Sequence, residues 1–275
     1  MLKFGTKKGC LVSFEYTSKI LLTLALMLAL TACGSGGNDS KIAENKETLI
    51  SPPVTNNNPQ GDYKIIIYGN SHSSSLGTLL ETIITHQLSN SSVQTMTVGG
   101  RFLDEIAEVD SNIDKLSENN WSHAIFQGQK YSQSGAVDYP TDATERLLSV
   151  AKEQKTTPIL FPEHPQKGDP TEAKLVYDLH LSISKKQPSC IAPVGFVWNR
   201  VLEIMPSINL HSADGNHASY AGNVLTAMTF YQIITSELTD TMPFIPAIDL
   251  TQQEQALFAQ VVTEVLELYP ACGAK

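Results

Sequence analysis

The chain has 275 residues, of which 41% are hydrophobic and 17% charged, and a formal net charge of −9. That composition belongs to a globular chain and not to a disordered one. The acidic balance excludes nucleic acid as a partner, because phosphate binding needs a basic face. The length suits one α/β domain of ordinary size or two small ones.

Residues 1–32 read as an export signal. Lys3, Lys7, Lys8 and Lys19 form a basic region, and residues 20–30 are an apolar run too short to span a membrane as a helix. The run ends Leu30-Thr31-Ala32-Cys33-Gly34. This resembles the lipobox of bacterial lipoproteins, in which a small residue precedes a cysteine that is lipidated and becomes the mature N-terminus. The alternative is an ordinary signal peptide with an incidental cysteine. The resemblance implies a protein anchored to the bacterial cell envelope through Cys33. Gly34, rather than Asp, after the cysteine implies the outer membrane. Removal of residues 1–32 takes away four lysines and Glu15, leaving 15 basic and 27 acidic residues and a net charge of −12. Contact with the membrane is then expected through the lipid, not through electrostatic adhesion to anionic headgroups.

Residues 33–62 are rich in Ser, Gly, Asn and Pro and read as a flexible tether behind the anchor. Residues 63–275 show no repeat and no second linker, and read as one domain. Within it strands and helices alternate. Strands are expected over 64–68, 93–98, 122–126, 158–161 and 190–194. Helices are expected over 75–89, in part of 102–116, and over 143–154, 170–186, 196–205, 219–235 and 252–268. The alternation predicts a three-layer α/β/α sandwich with a five-stranded parallel sheet, in the flavodoxin-like order 2-1-3-4-5. Cys190 and Cys272 remain once Cys10 and Cys33 are assigned to the signal and the anchor. In an oxidising envelope they are candidates for a disulfide, the alternative being two separate buried thiols.

Two stretches carry chemistry. In the first, Ile65-Ile66-Ile67-Tyr68 ends at Gly69-Asn70-Ser71-His72 before an apolar-periodic helix. This puts Ser71 at the carboxyl end of the first strand, close to a helix N-terminus, where open α/β sheets bind ligands and where developing negative charge is favoured. The plain alternative is that 70–75 simply turn the chain and cap the helix. In the second, His211-Ser212-Ala213-Asp214-Gly215-Asn216-His217 precedes the penultimate helix. Asp214 and His217 are three residues apart, a spacing that lets the carboxylate reach the imidazole in a turn entering a helix, as a Ser-His-Asp hydrolase requires. An Asp-Gly turn with a chance histidine is the alternative.

In this order the motifs resemble the SGNH, or GDSL-like, hydrolase superfamily, in its branch with a Gly-Asn-Ser first block, over 63–235. The resemblance implies Ser71 as nucleophile, with His217 as base and Asp214 as its orienting carboxylate. It also implies an oxyanion hole built from the N–H of Ser71, the N–H of a second-block glycine and a third-block asparagine amide. Gly99 or Gly100 matches the glycine, Gly100 being preferred. The asparagine motif is absent; Gln127-Gly128-Gln129 stands there, and Gln129 aligns with the asparagine. Asn70 likewise replaces the family's usual aspartate. Candidate pocket residues are Asn70, His72, Gly99, Gln127, Tyr131 and Trp198, with Tyr139 a further aromatic after a predicted strand. The other reading of each aromatic is core packing. The implied activity is hydrolysis of short acyl esters, acetyl above all, on a small molecule or polysaccharide, with no cofactor. Two alternatives are a catalytically degenerate binding or scaffold module and an O-acetyltransferase with the same triad. His211, Asp214 and His217 are also spaced like metal ligands, but no fourth ligand is evident, so no metal is expected.

Overall fold

The computed structural model describes residues 61–273. The signal segment, Cys33 and nearly all of the tether lie outside the described residues.

The sheet has five parallel strands in the order β2-β1-β3-β4-β5. They are β1 (Asp62–Gly69), β2 (Ser92–Gly99), β3 (His123–Gln127), β4 (Thr157–Phe161) and β5 (Cys190–Ile191). Eight helices connect and cover them: α1 (Leu76–Gln87), α2 (Leu103–Ala107), α3 (Asp110–Asp114), α4 (Asp142–Glu153), α5 (Glu172–Lys186), α6 (Val194–Ile204), α7 (Tyr220–Thr235) and α8 (Gln252–Leu268).

Ile65, Ile66, Ile67 and Tyr68 are all fully buried, as a parallel strand covered on both faces requires. The period of two divides them. Ile65, Ile67, Ile125, Ile159 and Phe161 pack towards α1, α6, α7 and α8, while Ile66, Tyr68, Ala124, Phe126 and Leu160 pack towards α2, α3 and α4. The polar atoms of two large core rings are paired: Tyr68 Oη donates to Asn112 O at 2.7 Å, and Trp121 Nε1 donates to Lys115 O at 2.7 Å.

Three differences from the expected elements have local causes. The region 102–116 forms two one-turn helices, α2 and α3, instead of one partial helix. The helix expected from 170 begins at Glu172, because the Asp169 carboxylate accepts from the N–H and hydroxyl of Thr171 and turns the chain there. Strand β5 is two residues long rather than five, since Pro193, which has no N–H to donate, caps α6.

The short β5 edge is tied instead to the C-terminus. Ile191 N–H donates to Ala271 O at 2.7 Å, and Cys190 and Cys272 form a disulfide across 82 positions of sequence. Closing so long a loop constrains the unfolded chain, with a typical stabilisation of about 2–5 kcal/mol. A Cys190→Ala/Cys272→Ala double variant is therefore expected to melt well below the parent in thermal denaturation. Equal melting of the two would show that the bridge contributes nothing.

Candidate active site

The carboxyl end of β1 sets the position of Ser71. Gly69 has no room for a side chain, since a Cβ there would lie 2.5 Å from Gln127 Oε1. That oxygen accepts the Asn70 N–H at 2.9 Å. Asn70 then caps a 3₁₀ turn, Ser71–Ser73, that precedes α1: its Oδ1 accepts from the N–H and the Nδ1–H of His72, each at 3.1 Å. The buried Ser73 hydroxyl donates to Asn70 O at 3.0 Å. These bonds hold Ser71 at the tip with its side chain free to face outward.

His217 comes to it from the loop 211–219, 146 positions away in sequence. That loop is cinched by an antiparallel bridge between His211 and Ala218, and by Ser212 N–H donating to His217 O at 2.8 Å. Inside it, Asp214 Oδ1 accepts from the N–H of Asn216 at 2.9 Å, the N–H of His217 at 3.0 Å and the Ser212 hydroxyl at 2.7 Å. Its other oxygen, Oδ2, lies 2.6 Å from His217 Nδ1. A carboxylate only accepts, so Nδ1 is the donor, and Nε2 is left to accept from Ser71 Oγ at 2.8 Å. These four donors hold the Asp214 carboxyl well below the usual carboxylate range, the His217 side chain contributing most.

A second layer of imidazoles braces the loop. The His72 ring stacks on that of His217, with centroids 4.9 Å apart. His164 stacks on Trp198 at 3.8 Å and donates from Nε2 to Asn216 O at 2.9 Å. His211 donates from Nε2 to Pro165 O at 2.9 Å. Burial pushes His164 down to about 3, so it holds the loop as a neutral ring. Beneath His72 lies Glu163, whose Oε2 accepts from Gln127 Nε2 at 2.6 Å and is 4.0 Å from His72 Nδ1. Burial raises the pKa of its carboxyl. Glu172, almost fully buried, accepts from Tyr131 Oη, from Gln133 Nε2 and from the Gln166 N–H.

Beside the Ser71–His217 pair a cleft of about 700 Å³ opens, with Asn70, His72, Tyr131, Tyr139, Glu163 and Asn216 in its walls. The structure thus brings Ser71, His217 and Asp214 into one hydrogen-bonded chain, with Asn70, His72 and Tyr131 at the cleft. Gly99 ends β2 beside Gly69, and Gln127 lies buried below the turn.

Three expected placements are corrected. The amide of Gln129 does not face Ser71: its Nε2 donates to Lys130 O at 2.9 Å and Pro140 O at 3.1 Å, and its Oε1 accepts from Thr144 Oγ1 at 2.6 Å. The longer arm folds back to satisfy loop carbonyls. The Gly100 N–H is engaged with Gly69 O at 3.0 Å, extending the β1–β2 pairing by one bond. Trp198 is wholly buried, donates to Thr226 Oγ1 at 3.1 Å and backs His164 from the core instead of lining the cleft. Neither Glu163 nor His164 carries a motif that singles it out in the sequence. Both directly follow β4, and the placement of ligands at strand carboxyl ends was the available signal. Among the described residues, no group of three or more His, Cys, Asp or Glu side chains is arranged to hold a metal ion.

No family model matches the chain, and a search of curated proteins finds no significant match. Solved structures do resemble it. A DUF4886 family protein from Bacteroides uniformis superposes with a TM-score of 0.59 at 15% identity, covering 76% of this chain and 96% of that one. A two-domain esterase active on acetylated mannans gives a TM-score of 0.48 at 14% identity, over 70% of this chain and 54% of the other. A psychrotrophic esterase from a Pseudoalteromonas species gives 0.45 at 16% identity, over 62% and 96%. The first of these likenesses shows a shared fold. Fold and site together define an α/β sandwich carrying a hydrogen-bonded serine, histidine and aspartate at the carboxyl edge of its sheet.

Two outcomes follow from this geometry. Replacing Gln129 by Ala leaves loop carbonyls and Thr144 without partners, so it should lower unfolding stability by about 1–3 kcal/mol, as read by denaturant titration. An unchanged midpoint would show that this network does not hold the loop. The second outcome concerns acid. His123 and His180 are pushed down by burial to about 4, and His164 to about 3, from an ordinary 6.5. Between about pH 4 and 6.5 the unfolded chain binds protons at these sites that the folded chain refuses, so stability falls as pH falls. Each such site contributes a slope of about 1.4 kcal/mol per pH unit. Glu163, raised by burial, acts in the opposite sense above the ordinary glutamate range. Melting temperature should drop steadily from pH 7 to pH 4.5, and a flat profile would contradict neutral buried histidines.

Proposed function

We propose that this chain is an SGNH-type serine ester hydrolase of the bacterial cell envelope, anchored through a lipidated Cys33 and acting on short acyl esters of carbohydrates. The observation that carries the reading is the continuous chain of hydrogen bonds from Ser71 Oγ to His217 at 2.8 Å and from His217 to Asp214 at 2.6 Å. Its donor directions match the requirements of nucleophilic acyl transfer.

His217 Nε2 takes the hydroxyl proton as Ser71 Oγ bonds to the acyl carbon, and the carbonyl oxygen gains the negative charge. Asp214 stabilises the imidazolium. Collapse breaks the bond to the alcohol oxygen, which takes the proton from His217 and departs. Water then repeats the sequence on the acyl-enzyme and frees Ser71. The Ser71 N–H has no partner among the described residues and lies at the N-terminus of its turn, open to receive the developing oxyanion.

The walls of the cleft support this substrate class. Tyr131, Tyr139 and Phe102 offer aromatic faces, while Glu163, Gln166 and Asn216 offer hydrogen-bonding groups on the same walls. A sugar has both an apolar face and a rim of hydroxyls, and suits such a mixture. A long acyl chain needs a long apolar groove, which these walls do not supply. A second reading, a binding module without turnover, is favoured by the engagement of the Gln129 amide and the Gly100 N–H elsewhere.

A fluorophosphonate probe separates the two. Residues 33–275 with Cys33 replaced by Ser should be labelled at Ser71 and should hydrolyse nitrophenyl acetate, and Ser71→Ala should abolish both, with turnover falling about 10⁴-fold or more. Absence of labelling in the parent protein would support the binding module instead.

A further inference from the structure

With Gln129 turned inward and the Gly100 N–H engaged, the Ser71 N–H alone remains of the three oxyanion donors implied by the resemblance. A single backbone donor is a poor substitute for a hole with a side-chain amide. We propose that the amide of Asn70 fills that place, so that the first block supplies both the nucleophile and the side-chain donor. The inference rests on the esterase reading above.

The orientation of this amide is settled by its partners. Oδ1 accepts from the His72 N–H, a backbone group that can only donate, and from His72 Nδ1–H. The other end must therefore be the NH₂. Nδ2 has no partner among the described residues. It points away from His72 towards the gap between the chain segments that leave β2 and β3: a Cβ on Gly128 would sit 3.4 Å from Asn70 Nδ2 and 3.6 Å from Arg101 O. These are the segments that border an oxyanion hole in the expected architecture, and Asn70 is in the wall of the cleft next to the nucleophile.

The neighbouring amides are not available. Gln127 is held between Glu163 and the Asn70 N–H, and Gln129 between two loop carbonyls and Thr144. The Gln127 bond has a second consequence, because it fixes the backbone of Asn70 and thereby the origin of its side chain. Glu163, the buried Gln127 and Asn70 thus form a brace that presents the NH₂ group in one direction. As the Ser71 Oγ–C bond forms, the former carbonyl oxygen would receive one donor from the Ser71 N–H and one from Asn70 Nδ2. An aspartate at this position would keep the cap on His72 but would direct an acceptor at the oxyanion.

The test compares the parent with Asn70→Ser and Asn70→Asp, using nitrophenyl acetate turnover, fluorophosphonate labelling rate and thermal melting. Both substitutions keep an oxygen able to cap the His72 N–H and both remove the amide donor. The expected result is a fall in kcat of about 10²-fold or more, a parallel fall in labelling rate, little change in KM and a melting temperature near the parent's. If the parent turns over the ester and Asn70→Ser retains a similar kcat, Asn70 is not in the hole and the esterase reading stands. If the parent neither turns over the ester nor takes the label, the esterase reading fails and this inference with it.

Discussion

A carboxylate can only accept hydrogen bonds, and the site depends on where Asp214 spends that restriction. One of its oxygens gathers three donors from its own loop, and the other receives the His217 ring. The first set folds the loop; the second determines which nitrogen of the imidazole carries its proton. With Nδ1 as donor, Nε2 is an acceptor facing Ser71. Loop geometry and histidine tautomer thus have one cause. The carboxyl is held charged by those same donors, so it remains an acceptor for the Nδ1–H well into acid.

The rest of the molecule holds two loops at the correct separation. Parallel strands deliver their carboxyl ends to one edge, and the buried run 65–68 fixes the level at which the chain emerges. Glycine at 69 lets Gln127 reach in and hold the next residue by its N–H. On the other side, His164, a neutral ring, and His211 lock the 162–167 segment to the 211–219 loop through backbone carbonyls. Neutrality at His164 suits the proposed mechanism, because a charged ring there would stand close to the imidazolium that this mechanism forms on His217. Burial against Trp198 keeps it uncharged.

Sheet order, strand positions and the three residues of the hydrogen-bonded chain were legible because each has a local signature. A β-branched run stops at Gly69-Asn70-Ser71, and an Asp-Gly turn places Asp214 three residues before His217. Side-chain direction was not legible. Gln129 stands at the expected point along the chain, but partners 11 and 15 positions away, Pro140 and Thr144, turn its amide inward. Trp198 was a loop aromatic by its place after a strand and a core residue by its packing, a choice made by α7 through Thr226. Glu163 lacked any motif of its own, and only its tertiary partners Gln127 and His72 mark it. Short β5 followed from Pro193, whose consequence for pairing depends on where α6 begins.

In the proposed acyl transfer Ser71 and His217 act as a unit. A double-mutant cycle on ester turnover with Ser71→Ala, His217→Ala and the combined variant measures this directly. Each single substitution is expected to remove nearly all of the activity, and the double variant to be no slower than either. Losses that multiply in the double variant would show two independent contributions and would contradict it.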